Sequence, residues 1–393
     1  MDKSTSKPSI LAITKDSFIL RNIRLAMPLL NLKMQGLIQD YFITNPLLFN
    51  LPDDFIFDTV WLQKMDDPDL LQHLTQKINN HYLYDLDDLL IGHCSYRGSD
   101  LVKKEWVVES IRQCRVLTVS SHRLLHSLEK YTGVPLQEKC VVCPNAGEFP
   151  AQIRVPVKPV GIILTSSDAL ALTSSFDAVM DALADFSDRH NLPIYYFGKP
   201  DSRINTRFLR MINLGLVPYW HYHALLAALP PMIGVSPLET MADQDTLDFI
   251  SCKSDIKMID FGGFGHPSVY SDAPPYLDTD LKVGIVTSNT TQAWRDALEA
   301  VYRDLWHKLA AEQILVRELR NMNRIAAEFW YKAIIRARLP RRLTGKEIKF
   351  STCGPRFFIH AFRHLVYSQD YVFKKRLQAK IPNALLKIVK RFY

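Results

Sequence analysis

At 393 residues the chain is too long for one ordinary core, so two or three domains are expected. A composition of 47% hydrophobic and 23% charged residues excludes a disordered chain. The net charge of +7 is unevenly spread: residues 340–393 carry thirteen Lys/Arg against Glu347 and Asp370, a net +11, which leaves −4 on residues 1–339. A mildly acidic body without a DNA- or RNA-reading motif excludes general nucleic-acid binding.

The N-terminus, "MDKSTSKPSILAITKDS", lacks the apolar stretch of a signal peptide and runs straight into a short strand. No window reaches the ~18 uninterrupted apolar residues of a membrane span. Short apolar runs then alternate with longer amphipathic ones, which reads as α/β with parallel sheets. Strands are expected at 10–14, 57–63, 82–86, 116–120 and 140–144, with helices at about 20–36, 67–79, 101–113 and 121–132. This is one Rossmann-like half.

Cys140 and Cys143 enclose two valines and have no second pair at zinc spacing, so they read as part of a buried strand. The six cysteines are too few and too scattered for a disulfide framework, which suits a reducing cytosol.

The proline-bearing segment "NAGEFPAQIRVPVKP" marks a boundary near residue 155. Strands then recur at 160–165, 194–198, 232–238, 267–271 and 283–288, with a helix at 176–190. Two such halves, 1–155 and 156–315, imply a cleft between them where ligands of open α/β sheets bind. A long helical stretch follows residue 289, with 316–339 expected to cross back to the first half. The basic tail, 340–393, carries apolar residues at 381, 385, 388, 389 and 392 on one helical face. It reads either as a helix on an anionic membrane or as a helix packed on the body.

Three groups of residues carry candidate chemistry. "KSDIKMIDFGG" places Lys253, Lys257 and Asp260 on one face if it is a single helix, with Ser251 and Ser254 near its start and Gly262, Gly263 and Gly265 ending it. Two lysines four apart repel unless an anion lies between them, and a helix start favours one. The alternative is a solvated charged face. In "YDLDDLL", Asp85 and Asp87 share a strand face and Asp88 opposes them. An acceptor-binding or base role, a structural or capping role, and a divalent metal site all remain open. His93 and Arg97 follow in "IGHCSYRG", the histidine structural or catalytic, the arginine suited to an acceptor anion.

The stretch from "MIGVSPLE" through "KSDIKMIDFGGFGHPSVYSDAPPY" resembles the donor region of GT-B glycosyltransferases that build bacterial surface polysaccharides, such as lipopolysaccharide or capsule. "FDTVWLQKM", "YLYDLDDLL", "VLTVSSHRLLHSL" and "CVVCPNAGE" resemble that family's N-terminal motifs, and Arg24 and Pro28 match its "R...P" pattern. The resemblance covers about residues 9–335. It implies a fold of two Rossmann-like domains facing a cleft, and a nucleotide-sugar donor that is a substrate, with no separate cofactor and no bound metal. By position, Lys253, Ser254 and Lys257 would face the diphosphate, Thr165 and Ser166 a phosphate or sugar, and Tyr219 or Tyr222 the nucleobase. Asp260 stands where the family usually has a ribose-binding glutamate. The first βα turn, "TKDSFILRN", departs from the family in lacking a glycine pair, which implies an unusual acceptor. A glycan or lipid-linked glycan acceptor at the cytoplasmic face of the membrane is the resulting expectation. A sugar-nucleotide epimerase, or an inactive scaffold subunit on the same fold, are its rivals.

Overall fold

The computed structural model describes residues 6–15, 21–45, 51–65, 68–91, 104–166, 172, 174–198 and 202–348. In chain order its strands are β1 (Ser9–Thr14), β2 (Asp40–Thr44), β3 (Ile56–Phe57), β4 (Thr59–Gln63), β5 (Tyr82–Leu86), β6 (Val116–Val119), β7 (Cys140–Val142), β8 (Ile162–Ser166), β9 (Ile194–Gly198), β10 (Met211–Asn213), β11 (Ile233–Ser236), β12 (Ser268–Ser271), β13 (Ile285–Thr287) and β14 (Leu343–Thr344). Twelve of them form two parallel six-stranded sheets, ordered β2-β1-β4-β5-β6-β7 and β10-β9-β8-β11-β12-β13. The expected α/β architecture of two Rossmann-like halves is what the chain adopts.

The central strands are buried along their whole length, as in β1 and β5. Parallel sheets covered by helices on both faces demand this, which is why these strands read as continuous apolar runs. Strand order reverses between β1 and β4 in the first sheet and between β8 and β11 in the second. Ligands of open α/β sheets bind at the carboxyl ends beside such reversals.

The expected helices are present at Met27–Met34, Pro68–Ile78, Lys104–Gln113, His122–Thr132 and Phe176–His190. A five-residue π-helical turn, Asn22–Ala26, precedes the first and carries Arg24 inward. Beyond β13 the helices Thr291–Arg303 and Leu309–Leu319 stay with the second sheet. The chain then bridges Gly147 to Asn321, and residues 322–336 pack on the first half, where Trp330 stacks on Trp61 at 4.6 Å. Its exit is tied down by Arg338 and Arg342 on the buried Asp58 and by β14 pairing with β3. Past Ile348 the basic tail lies outside the described residues. Among the described residues no helix is long and apolar enough to cross a membrane.

The "KSDIKMIDFGG" stretch is not one helix. One helix, Gln244–Ser251, ends at Cys252, and another, Ile256–Phe264, starts after Asp255. Lys253 and Ser254 lie in the break, so the i,i+4 lysine array does not form. Gly262 and Gly263 do not end the second helix either. A side chain on Gly262 would strike Val316, and one on Gly263 would strike the Phe149 ring. They are there for close packing, and Gly265, at φ +75°, is the residue that stops the helix.

Candidate functional site

The carboxyl ends of the two sheets meet. Asn145, just past β7, donates from Nδ2 to Ser254 Oγ at 2.8 Å. Tyr219, opening the helix Tyr219–Ala228 of the second half, points its hydroxyl at Met27 Sδ of the first, 2.9 Å away. Lys130 pairs with Asp248 at 2.9 Å, and Arg123 pairs with Asp278. These contacts hold the halves together.

On the first-half side, the three aspartates separate into different roles. Asp85 is fully buried. It accepts from Arg24 Nη2 at 2.7 Å, Arg24 Nε at 3.2 Å and Thr118 Oγ1 at 2.8 Å. Burial opposes the Arg24 charge, and Asp85 more than restores it. Arg24 also donates to Cys143 O and Asn145 Oδ1 and lies 4.4 Å from the Trp330 ring centroid. Of the roles open to it, Asp85 takes the structural one: its oxygens are enclosed by Arg24 and Thr118, and it anchors the sheet.

Asp87 and Asp88 follow the end of β5 and are freed from strand alternation. Instead of opposing each other they converge on Lys64, whose Nζ is 2.5 Å from Asp87 Oδ1 and 3.1 Å from Asp88 Oδ2. Lys64 sits at φ +49°, directly after β4, in the left-handed region that few non-glycine residues adopt. Burial pushes the Asp87 carboxyl up to about 6, against the pull of Lys64 and with a further push from Asp88. The Lys64 ammonium fills the position between the two carboxylates that a metal cation would need. Asp88 also lies close enough to Cys252 of the second half to disfavour its thiolate, so the pair sits at the seam.

On the second-half side, Lys257 opens the helix Ile256–Phe264. Its ammonium contacts Asp260 Oδ2 at 3.1 Å and donates to Tyr222 Oη at 3.3 Å. Tyr222 also donates to Asp260 Oδ2, and His223 Nε2 lies 3.1 Å from Asp260 Oδ1. Burial works against the Asp260 charge, but Lys257 and His223 hold its carboxyl below the usual range. Thr165, near the end of β8, lies beside the Tyr222 hydroxyl, and its buried Oγ1 makes no hydrogen bond among the described residues. The structure thus brings Thr165, Tyr222, Lys257 and Asp260 into one cluster, with Asp260 occupied by three side chains.

Tyr219 stands apart: it is buried against Met27 and His223, which takes its ring out of reach of a base. Lys253 lies over the Phe249 ring at 4.8 Å. Asp255 at the helix start is engaged by Arg320 at 2.9 Å and Thr279 at 2.6 Å. Ser166 closes β8, while His93 and Arg97 lie outside the described residues. Sequence reasoning missed Lys64, Arg320 and His223. For Lys64 a signal was present: it is the first charged residue after a buried strand, where parallel sheets place ligand-facing side chains.

No family model and no curated protein matches the chain. Solved structures do. HepE from Anabaena, in complex with UDP and glucose, matches with a TM-score of 0.54 at 11% identity, over 82% of this chain and 98% of its own. A glycosyltransferase from Rickettsia africae matches at 0.54 and 14% identity, over 84% and 99%. TarM of S. aureus, a mutant in complex with fondaparinux, alpha-GlcNAc-glycerol and UDP, matches at 0.50 and 11%, over 70% of this chain and 55% of its own. The chain has the GT-B fold. In this GT-B chain Lys64, Asp87 and Asp88 form one charged cluster in the first half, and Lys257, Tyr222 and Asp260 form another in the second.

Proposed function

We propose that this GT-B chain transfers a hexosyl or deoxyhexosyl group from a nucleotide-diphosphate sugar to a growing surface glycan carried on a lipid. The observation that carries the reading is Lys257. An ammonium has three donors, and the described contacts use two, on Tyr222 and Asp260. Its side chain stays 26% exposed, which leaves the third donor open to a ligand. Asp260 and Tyr222 orient this charge toward a diphosphate without neutralising it fully, and Ser254 and Thr165 add hydroxyls nearby.

In the transfer step the bond from the anomeric carbon to the diphosphate oxygen breaks, and the leaving group keeps the electron pair beside Lys257. The acceptor hydroxyl oxygen bonds to the anomeric carbon, and its proton passes to the Asp87–Asp88 pair. Fixed cationic donors can stabilise the leaving diphosphate, and on this reading no catalytic metal is required. His93 and Arg97 would stand on the acceptor side, Ser166 and Lys253 on the donor side.

The net +11 on residues 340–393 supports a peripheral position on the anionic cytoplasmic membrane face, next to a lipid-linked acceptor. Calorimetric titration with UDP-, GDP- and dTDP-sugars tests the donor assignment. One donor should bind, and Lys257→Met should weaken it at least about tenfold. Failure of every donor to bind would refute the reading.

A further inference from the structure

A hydrogen-bonded chain crosses from the buried core of the first half to the donor side of the second. It runs from Thr118 to Asp85, Arg24, Asn145 and Ser254. A guanidinium carries only donors. The Asn145 atom 3.0 Å from Arg24 Nη1 must therefore be its carbonyl oxygen, which turns its amide nitrogen toward Ser254. That nitrogen donates, so Ser254 Oγ accepts and its own hydrogen points away from Asn145. Among the described residues Ser254 has no other hydrogen-bond partner, and it is only half-buried. Asn145 is 4% exposed.

We propose that Asn145 is a positioning residue for the donor: it fixes Ser254 as a hydrogen-bond donor aimed at the diphosphate, with Arg24 and Asp85 setting its orientation. The inference rests on the donor-site reading above and adds a first-half residue that governs donor binding. The polarity is reversible. In Asn145→Asp, an oxygen would face Ser254 in place of the amide nitrogen. Ser254 would then turn its hydrogen back, and the diphosphate would lose that donor.

The test is a titration with UDP, GDP and dTDP of the wild type, Asn145→Asp, Ser254→Ala and the double variant, with thermal melting alongside. One nucleoside diphosphate should bind the wild type. Each single variant should weaken it about tenfold, the usual cost of a hydrogen bond to a charged group. The double variant should be no weaker than either single one. Should Asn145→Asp not fold, Asn145→Ala enters the same cycle. Its loss should be smaller and should vanish in the Ser254→Ala background, whereas a purely structural role would persist there. Unchanged binding in Asn145→Asp or in Ser254→Ala, or losses that multiply in the double variant, overturn the inference while leaving the donor-site reading intact. If the wild type binds none of the three, both fall.

Discussion

Replacing Lys64 by Met removes the cation that Asp87 and Asp88 share and tests whether that pair accepts the acceptor's proton. Asp87 is buried and its carboxyl is pushed up to about 6 even with Lys64 at 2.5 Å. A base must be ionised, so kcat/KM should rise with pH through a midpoint near 6 in the wild type, rather than near the 4 of an ordinary carboxylate. An adjacent opposite charge lowers a carboxylate's midpoint by about 1 to 3 pH units. Lys64→Met should therefore move the limb to about 7–9, and at pH 6 the ionised fraction should fall about fivefold to 500-fold. Lys64→Arg keeps the charge and should leave the midpoint near 6.

The same group acts on stability with a definite sign. A carboxyl raised in the folded protein favours folding below its unfolded value of about 4, and that contribution is lost as pH climbs through about 6, on the order of 3 kcal/mol in all. The assay is release of nucleoside diphosphate across pH 4.5–9. A Lys64→Met midpoint unchanged or lowered would refute the assignment of the pair as proton acceptor.

Other perturbations probe the frame around the site. Arg24→Met should cost about 3–5 kcal/mol in urea unfolding, because among the described residues it leaves the fully buried Asp85 carboxylate only Thr118 as partner; Asp85→Asn in that background should recover part of the loss. Gly234→Ala should destabilise by about 1–3 kcal/mol, since the new methyl meets the ring of Phe261, which is fully buried and has no room to yield. The chain should co-sediment with anionic but not with neutral vesicles, and removing residues 349–393 should abolish it; retained binding to anionic vesicles would place the membrane contact elsewhere.

The central strands were legible in the sequence because burial on both faces imposes unbroken apolar runs. The edge strands β2 and β10 were missed for the converse reason: half-exposed "DYFIT" and "MIN" carry no such run. The donor stretch misled in another way. Serine, lysine and aspartate at 251–255 fit a continuous amphipathic helix, and they also fit the end of one helix and the start of the next. Tertiary partners decide between the two: Asn145 takes Ser254, and Arg320 takes Asp255. Asp85, Asp87 and Asp88 look equivalent in sequence. Their divergence depends on Arg24 and Lys64, 61 and 24 positions away, which no local pattern encodes.

The most direct measurement is a crystal structure of the chain grown with the nucleoside diphosphate it binds. Phosphate oxygens should lie within hydrogen-bonding distance of Lys257 Nζ and Ser254 Oγ, between the carboxyl ends of the two sheets. A diphosphate lodged elsewhere, with Lys257 still committed only to Asp260 and Tyr222, would contradict the donor-site reading.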